Sequence, residues 1–262
     1  MASNDMNDKL SLQSRDGELV YTSNEKSNNT QQLKTLVQQL SPLFGEAWHR
    51  HNLVSLRVDS VARVLYYAEL YKKIVDVPGV ICEFGVHWGA GMSLLINMRS
   101  IFEPFNQSRV VHGFDTFDGF PSVDVKDGAY ANAGDYKSTE KYEDKLAQLL
   151  KLHESFAPMN DPVKHRLIKG DASVTIDKWL DDNPHAIISM AIFDMDLYKP
   201  TKDVLEKIVP RLTRGSLLVF DELNCEFFPG ETRALDEVLG LNNLRLYRTP
   251  LQSHCAWAVY GE

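Results

Sequence analysis

Val80–Met98, VICEFGVHWGAGMSLLINM, is the stretch from which the fold can be read. Val80–Phe84 is a short apolar run with Pro78-Gly79 in front of it, the pattern of a buried strand. Gly85, Gly89 and Gly91 follow, and Met92–Met98 then continues apolar without a breaker, which reads as a helix. Glycines at such a junction let the backbone approach a ligand closely, and free N–H groups at a helix start favour electron-rich groups. A strand, a glycine turn and a helix form the opening unit of a doubly wound α/β sheet, and a nucleotide-like cofactor is its expected guest.

Downstream the alternation repeats. Val110–Phe114 is a strand ending at Asp115 in GFDTFDGFP, where an acid is the usual partner for ribose hydroxyls. Ser122–Asp135 reads as a loop, and about Ser138 to Phe156 as an amphipathic helix marked by Leu146, Leu149 and Leu150. Together they form either a lid or an outer helix covering the sheet. Arg166–Ile168 is a short strand, and Gly170-Asp171-Ala172-Ser173 turns it into a helix reaching about Leu180. Asp171 either accepts from an adenine amino group or caps that helix. Met190–Phe193 is the strand of AIFDMDLY (Ala191–Tyr198), and a helix from about Pro200 to Leu212 leads to the strand Ser216–Phe220, which ends in Asp221-Glu222. Leu244–Tyr247 and Ala256–Tyr260 read as an antiparallel edge hairpin. The class is α/β, a Rossmann-like and mostly parallel sheet with an antiparallel C-terminal edge.

Upstream, the polar residues 1–29 can bury little and are expected to be mobile. Leu33, Leu36, Val37 and Leu40 mark a helix ending near Pro42, and Val61, Val64, Leu65, Ala68 and Tyr71 mark another from about Ser60 to Val75. Tyr66, Tyr67 and Tyr71 read as core and interface packing. The expected organisation is a flexible segment at 1–29, accessory helices at 30–76 that cover the site or join subunits, and a cofactor-binding domain at 77–262.

The carboxylates carry the chemistry. On a strand, Asp194 and Asp196 would leave on the same side and repel each other, so a metal, a basic ligand or acid/base work would account for the pair. The plain alternative is a helix cap beside a solvated acid. Successive β-α-β units bring neighbouring strand ends together, so Asp194, Asp196, Asp221 and Glu222 are expected to converge at the carboxyl edge. Acids gathered in this way call for a cation. Oxygen ligation points to Mg²⁺, with Mn²⁺ or Ca²⁺ possible, because no His or Cys reads as placed to join, and His254 and Cys255 read as structural.

The 262 residues carry a net charge of −8 and no basic run with interleaved aromatics, which argues against a nucleic-acid partner. Cys82, Cys225 and Cys255 are scattered and odd in number, fitting reduced thiols. Neither a leader nor an apolar run of about 18 residues is present, so a cytoplasmic protein without a membrane partner is expected.

Gly85, Gly89 and Gly91 fit the spacing of short-chain dehydrogenases, and Tyr198 and Lys202 supply a Y-x-x-x-K. Pro200 falls between those two, where a continuous helix would lose a bond, and hydride transfer does not call for clustered acids. The other reading begins at Glu83. E-x-G-x-x-x-G resembles motif I of class I S-adenosylmethionine-dependent methyltransferases, most closely the metal-dependent catechol type. With GFDTFDGFP, IKGDAS, FDMDLYKPT, PRLTRGSLLVFDELN and FPGETRALDEV following in order, the chain from about Leu56 to Leu239 resembles the macrocin O-methyltransferase (TylF-type) family of sugar O-methyltransferases.

That resemblance implies a class I methyltransferase fold, S-adenosylmethionine as donor, Mg²⁺ as cofactor, and a sugar or glycoside hydroxyl as acceptor. By motif match, Asp194, Asp221 and Glu222 correspond to metal ligands and Asp196 to the base, with the roles of Asp194 and Asp196 exchangeable. Glu83, Gly85, Gly89, Ser93, Asp115, Thr116, Asp171 and Ala172 would hold the donor. The family usually has Asp-Asp where this chain has Asp221-Glu222, so the second acid is longer. A phenolic acceptor of the catechol type and a non-catalytic cofactor-binding subunit are the alternatives. Helices ahead of the first sheet strand make a homo-oligomer, a dimer or higher, the expected assembly.

Overall fold

The structure, a computed structural model, describes residues 11–15 and 18–262. The chain divides into two compact units, one ending at Ala62 and the other comprising Arg63–Glu262. In the first, β1 (Ser11–Arg15) pairs antiparallel with β2 (Glu18–Thr22), and α1 (Asn24–Leu40) follows. The Ser23 hydroxyl accepts from the Lys26 amide at 3.3 Å and caps the helix, which therefore starts well before Thr30. Hairpin and cap thus organise much of the stretch that composition alone marks as mobile. The same expectation for residues 1–10, 16 and 17 lies outside the described residues. After the single turn α2 (Trp48–His51), α3 (Val58–Ile74) leads into the second unit. There Tyr66, Tyr67, Leu70, Tyr71 and Ile74 are buried, so the C-terminal half of the expected second accessory helix contributes to the core.

The second unit continues with β3 (Val80–Phe84), α4 (Ala90–Phe102), β4 (Val111–Asp115), α5 (Tyr142–Ser155), β5 (His165–Lys169), α6 (Ala172–Asp182) and β6 (Ile188–Phe193). It ends with α7 (Tyr198–Ile208), β7 (Leu212–Phe220), α8 (Gly230–Val238), β8 (Leu246–Arg248) and β9 (Ala256–Val259). The sheet order is β5-β4-β3-β6-β7-β9-β8, parallel except that β9 runs antiparallel to β7 and β8. The expected edge hairpin is present. Side chains from α3, α4 and α5 form one core cluster and those from α6, α7 and α8 the other, one on each face of the sheet.

The register explains how the site is assembled. Phe84 is level with Phe114 and Phe193, and Phe193 with Phe220. Their rings stack at 4.7, 5.4 and 5.0 Å between centroids, and all four are fully buried. Each fully buried Phe contributes roughly 1.5–3 kcal/mol. The next residues along the chain are Gly85, Asp115, Asp194 and Asp221, so one aromatic ladder sets three acids and a glycine in a row. Strand order reverses between β3 and β6, the place where a doubly wound sheet opens a crevice.

Two local expectations differ from the structure. The helix expected from Ser138 starts at Tyr142 and covers the sheet, with Leu146 and Leu150 buried while Leu149 is 44% exposed. The loop ahead of it is pinned, because buried Asp127 accepts from the Tyr198 amide at 2.5 Å and the Asp124 amide at 2.6 Å. Helix α8 has no counterpart in the sequence reading. It is a short helix rich in charged residues, and Gly230, Glu231, Ala234 and Leu235 provide its buried positions.

Candidate functional site

The glycine turn is held from two sides. Gly85 has φ +93°, and a Cβ there would collide with the carbonyl oxygen of Asp194, so only glycine lets β3 and the end of β6 approach. Asp115 accepts from the Val86 and His87 amides at 2.7 and 2.8 Å through one oxygen, and from the Phe117 amide at 2.6 Å through the other. Its charge therefore orders the turn, and its remaining lone pairs stay available to hydroxyls. Thr116 donates to the Gly119 carbonyl at 2.7 Å. Asp171 caps α6 by accepting from the Ser173 amide at 2.9 Å, and it also lines the cleft, so the two readings of this residue are compatible.

Gly85, Asp115, Thr116, Asp171 and Ala172 wall a cleft of about 750 Å³, together with Asp194 and Asp196. The other three expected donor-binding residues sit behind the turn. Gly89 and Ser93 open α4, with the Ser93 amide bonded to the Gly89 carbonyl at 3.0 Å. Glu83 is buried, accepts from the Tyr67 hydroxyl at 3.3 Å, and occupies space that a side chain at Gly91 would claim. Burial and then the charge of Asp194 push its carboxyl up to about 8, against the pull of Arg63 and Tyr67. Its second oxygen has no partner among the described residues.

The acid edge departs from the same-side strand geometry expected for Asp194 and Asp196. Strand β6 stops at Phe193, and Asp196 has φ +61°, so the period of two does not extend to it. Both acids nevertheless line the cleft. Arg63 of α3 reaches across the row, 3.0 Å from Asp194 Oδ2 and 3.5 Å from Asp221 Oδ1, with its guanidinium 5.4 Å from the Tyr67 ring centroid. Fully buried Glu231, from α8, accepts from the Met195 and Asp196 amides, each at 3.3 Å, and from the Glu222 amide at 3.2 Å. It ties the ends of β6 and β7 together.

Negative charge here exceeds its compensation. Burial, followed by the charge of Asp221, pushes Asp194 up to about 7 while Arg63 opposes. Asp196 is pushed well above the carboxylate range by burial and then by Asp194 and Glu222, and Glu231 likewise by burial and then by Asp196. Glu222 is raised chiefly by burial, and one of its oxygens is buried with no hydrogen-bond partner among the described residues. The charges of Asp221 and Glu222 reach Asp194, but among the described residues the ligand atoms of Asp194, Asp221 and Glu222 do not all gather within 4.8 Å of one another, so the three expected ligands stand near one another without forming a closed site.

The expectation that no His or Cys joins these acids is overturned. Ligand atoms of Glu222, Cys225 and His254 all lie within 4.8 Å of one another, and the Cys255 thiol donates to Asp221 Oδ1 at 2.9 Å. The cause is register: Phe220 pairs with Ala256, so the turn before β9 arrives beside the end of β7, and the Leu223 amide bonds the His254 carbonyl at 3.1 Å. Arg63 and Glu231 also escaped the sequence reading. A signal existed for each, a lone Arg beside apolar Val61, Val64 and Leu65, and an acid inside FPGETRALDEV. Tyr198 and Lys202 both bond Glu237, at 2.5 and 3.1 Å, and Pro200 sits in the first turn of α7, where it is tolerated.

The family profile described as macrocin-O-methyltransferase (TylF) matches residues 18–258. A curated relative, 8-demethyl-8-(2,3-dimethoxy-alpha-L-rhamnosyl)-tetracenomycin-C 4'-O-methyltransferase of Streptomyces olivaceus, is 29% identical over 69% of this chain and 66% of its own length. Mycinamicin III 3''-O-methyltransferase of Micromonospora griseorubida is 27% identical over 56% of each. The chain thus spans about 56–66% of the length of these two relatives. Among solved structures, the calicheamicin methyltransferase CalS11 is 36% identical with a TM-score of 0.88, over 95% of this chain and 100% of that one. Its apo form, described as a TDP-rhamnose 3'-O-methyltransferase, matches at 34% identity and a TM-score of 0.81, over 93% of this chain and 97% of that one. The O-methyltransferase NovP, 19% identical with a TM-score of 0.57 over 76% of this chain and 79% of its own, shares the fold. On a profile match from residue 18 to 258 and a 36% identical structure covering nearly the whole chain, this protein belongs to the macrocin-O-methyltransferase (TylF) family.

Proposed function

We propose that this protein transfers the methyl group of S-adenosylmethionine to a sugar hydroxyl, on a nucleotide sugar or a glycosylated natural product, with the help of a divalent cation. The observation that carries the reading is that the glycine turn, Asp115 and two of the clustered acids, Asp194 and Asp196, line one cleft. The similar proteins named above, whose names give a rhamnosyl-tetracenomycin, mycinamicin III and TDP-rhamnose as acceptors, support a sugar as acceptor. Gly85, Asp115, Thr116, Asp171 and Ala172 hold the donor, while Glu83, Gly89 and Ser93 support the turn from behind. The acceptor oxygen must be held within roughly 3–3.5 Å of the methyl carbon for in-line displacement, so positioning carries much of the rate.

Asp194, Asp221 and Glu222 would hold Mg²⁺, or Mn²⁺ or Ca²⁺, which when bound orients vicinal hydroxyls and lowers their pKa. Asp196 takes the hydroxyl proton. Its raised proton affinity suits a base once the repulsion of its neighbours is offset, and Asp194 is placed to share this work. Arg63 supplies part of that offset through its contacts to Asp194 and Asp221.

Replacing Asp221→Asn is expected to abolish transfer while S-adenosylhomocysteine still binds, measured by calorimetry beside a methyl-transfer assay. Full activity in that variant, or in excess EDTA, would remove the metal from the reading. A phenolic acceptor is the second reading, favoured by Phe120 and Tyr136 on the cleft wall and Phe228 6.4 Å from the Tyr136 ring. A panel of sugar nucleotides and catechols separates the two, and inactivity on every member would favour a non-catalytic subunit.

The same reading includes a cytoplasmic protein that self-associates. No described helix is long and apolar enough to cross a membrane. Exposed Leu36, Leu40, Leu43, Trp48, Leu53 and Val54 support a homo-oligomer, which light scattering would test.

A further inference from the structure

The turn after β7 and the turn before β9 bring together three side chains that methyl transfer does not need as a set. A Glu222 carboxylate oxygen, the Cys225 sulfur and a His254 ring nitrogen lie within 4.8 Å of one another. Cys225 is a free thiol and only 5% exposed, and Glu222 keeps a buried oxygen with no partner among the described residues. We propose that Glu222, Cys225 and His254 form a site for a borderline-soft divalent cation of the zinc class, adjoining the Asp194 and Asp221 row.

The donor set decides the metal class. One thiolate, one imidazole and one carboxylate are the ligands zinc takes in tetrahedral sites, at about 2.0–2.3 Å, whereas Mg²⁺ and Ca²⁺ take oxygen. Ligand atoms in such a tetrahedron stand roughly 3–4 Å apart, so a small closing movement completes the site, and three protein ligands leave the fourth position to water.

The frame for that movement already exists. The Leu223 amide bonds the His254 carbonyl at 3.1 Å, and the Asn224 amide bonds the Thr232 hydroxyl at 3.0 Å. On binding, the Cys225 proton leaves to solvent and the thiolate takes its place on the metal, with no change of oxidation state.

Glu222 belongs both to this trio and to the acid row, so zinc bound here withdraws it from the row and lowers divalent-supported methyl transfer. That consequence rests on the proposed function; the site itself does not.

The test uses the full chain and the metals alone. Titration with Co²⁺ is expected to produce a thiolate-to-cobalt charge-transfer band, absent in Cys225→Ser. Competition against a chromogenic chelator is expected to show zinc affinity falling about 10-fold or more in both Cys225→Ser and His254→Ala. Binding of S-adenosylhomocysteine reports that each variant is folded, and partly exposed His254 provides the second variant should Cys225→Ser misfold. The proposal is overturned if the wild type shows no thiolate band, if the band survives Cys225→Ser and disappears in Cys255→Ser, or if all variants bind zinc equally. Cys225-dependent binding with transfer insensitive to zinc would leave the site standing and remove Glu222 from the metal role proposed for methyl transfer.

Discussion

The two edges of the central sheet both bury charge, with opposite results. At the amino edge, near the starts of β4 and β5, Glu154 pairs with Arg99, with Lys164 at 3.5 Å and with His165 at 3.1 Å, all within 8% of full burial. Nearby, Arg109 pairs with Glu103 at 2.8 Å and donates to the carbonyls of Ile74, Val77 and Gly79. At the carboxyl edge, Arg63 pairs with Asp194 and Asp221 and acts on Glu83, while Asp196, Glu222 and Glu231 add further acid charge. Burial tends to raise the proton affinity of a carboxyl at either edge. At the amino edge the hydrogen bonds of His165 and Arg99 and the charges of Arg99 and Lys164 overcome it, and Glu154 falls to about 2. At the carboxyl edge neighbouring acids add to it, and Asp194 rises to about 7. Balanced charge makes a structural joint, and unbalanced charge makes a site that waits for a cation or a proton.

Substitutions can break that contrast. The largest expected effect is on activity: Asp196→Asn should lower kcat about 10²–10⁴-fold, the usual contribution of a positioned base, with no loss of thermal stability because one repelling acid is gone. A fall in melting temperature with kcat intact would show that the carboxyl edge is also a joint. Glu154→Gln should do the reverse, costing about 3–5 kcal/mol in urea denaturation because Arg99 and Lys164 are left buried without their partner. Activity per folded molecule should hold.

Acid sharpens the same comparison. The carboxyl of Glu154 is depressed from an ordinary 4.5 to about 2, so its contribution is fully present above about 4.5 and is lost as pH falls toward 2. That contribution is on the order of 3 kcal/mol, and denaturation midpoints measured across this window should lose it in the wild type but not in Glu154→Gln. The smallest effect is expected from Arg63→Met. Removing the guanidinium takes away a group that favours the Asp194 carboxylate, so the proton affinity of Asp194 rises further. The acid limb of the kcat/KM profile should move about one pH unit higher, and an unmoved limb would show that Arg63 does not tune the row.

Much of the fold is legible in local pattern. Val80–Phe84 is a strand with the bounds its apolar run suggests, and the acids after Phe114, Phe193 and Phe220 stand at strand ends as their positions imply. Helix α8 was not legible, because nine residues rich in Glu, Thr, Arg and Asp carry too few apolar marks for a clear period. The separate geometry of Asp194 and Asp196 was hidden as well, since a left-handed φ at an aspartate leaves no trace in spacing. Cys225 and His254 read as unrelated because some thirty residues separate them, and only the antiparallel pairing of β7 with β9 closes that distance.

The amino-acid sequence by itself determined the alternation of strands and helices, the glycine turn and the placing of acids at strand ends. Each depends on side chains a few residues apart, whose hydrophobic period and backbone freedom act locally. Tertiary structure alone decided which acids stand near one another, that Arg63 bridges Asp194 and Asp221, that Glu231 ties the ends of β6 and β7, and that a thiol and an imidazole stand beside Glu222. Those outcomes depend on strand register and burial, and a carboxylate's proton affinity follows the charges packed around it rather than its neighbours in the chain.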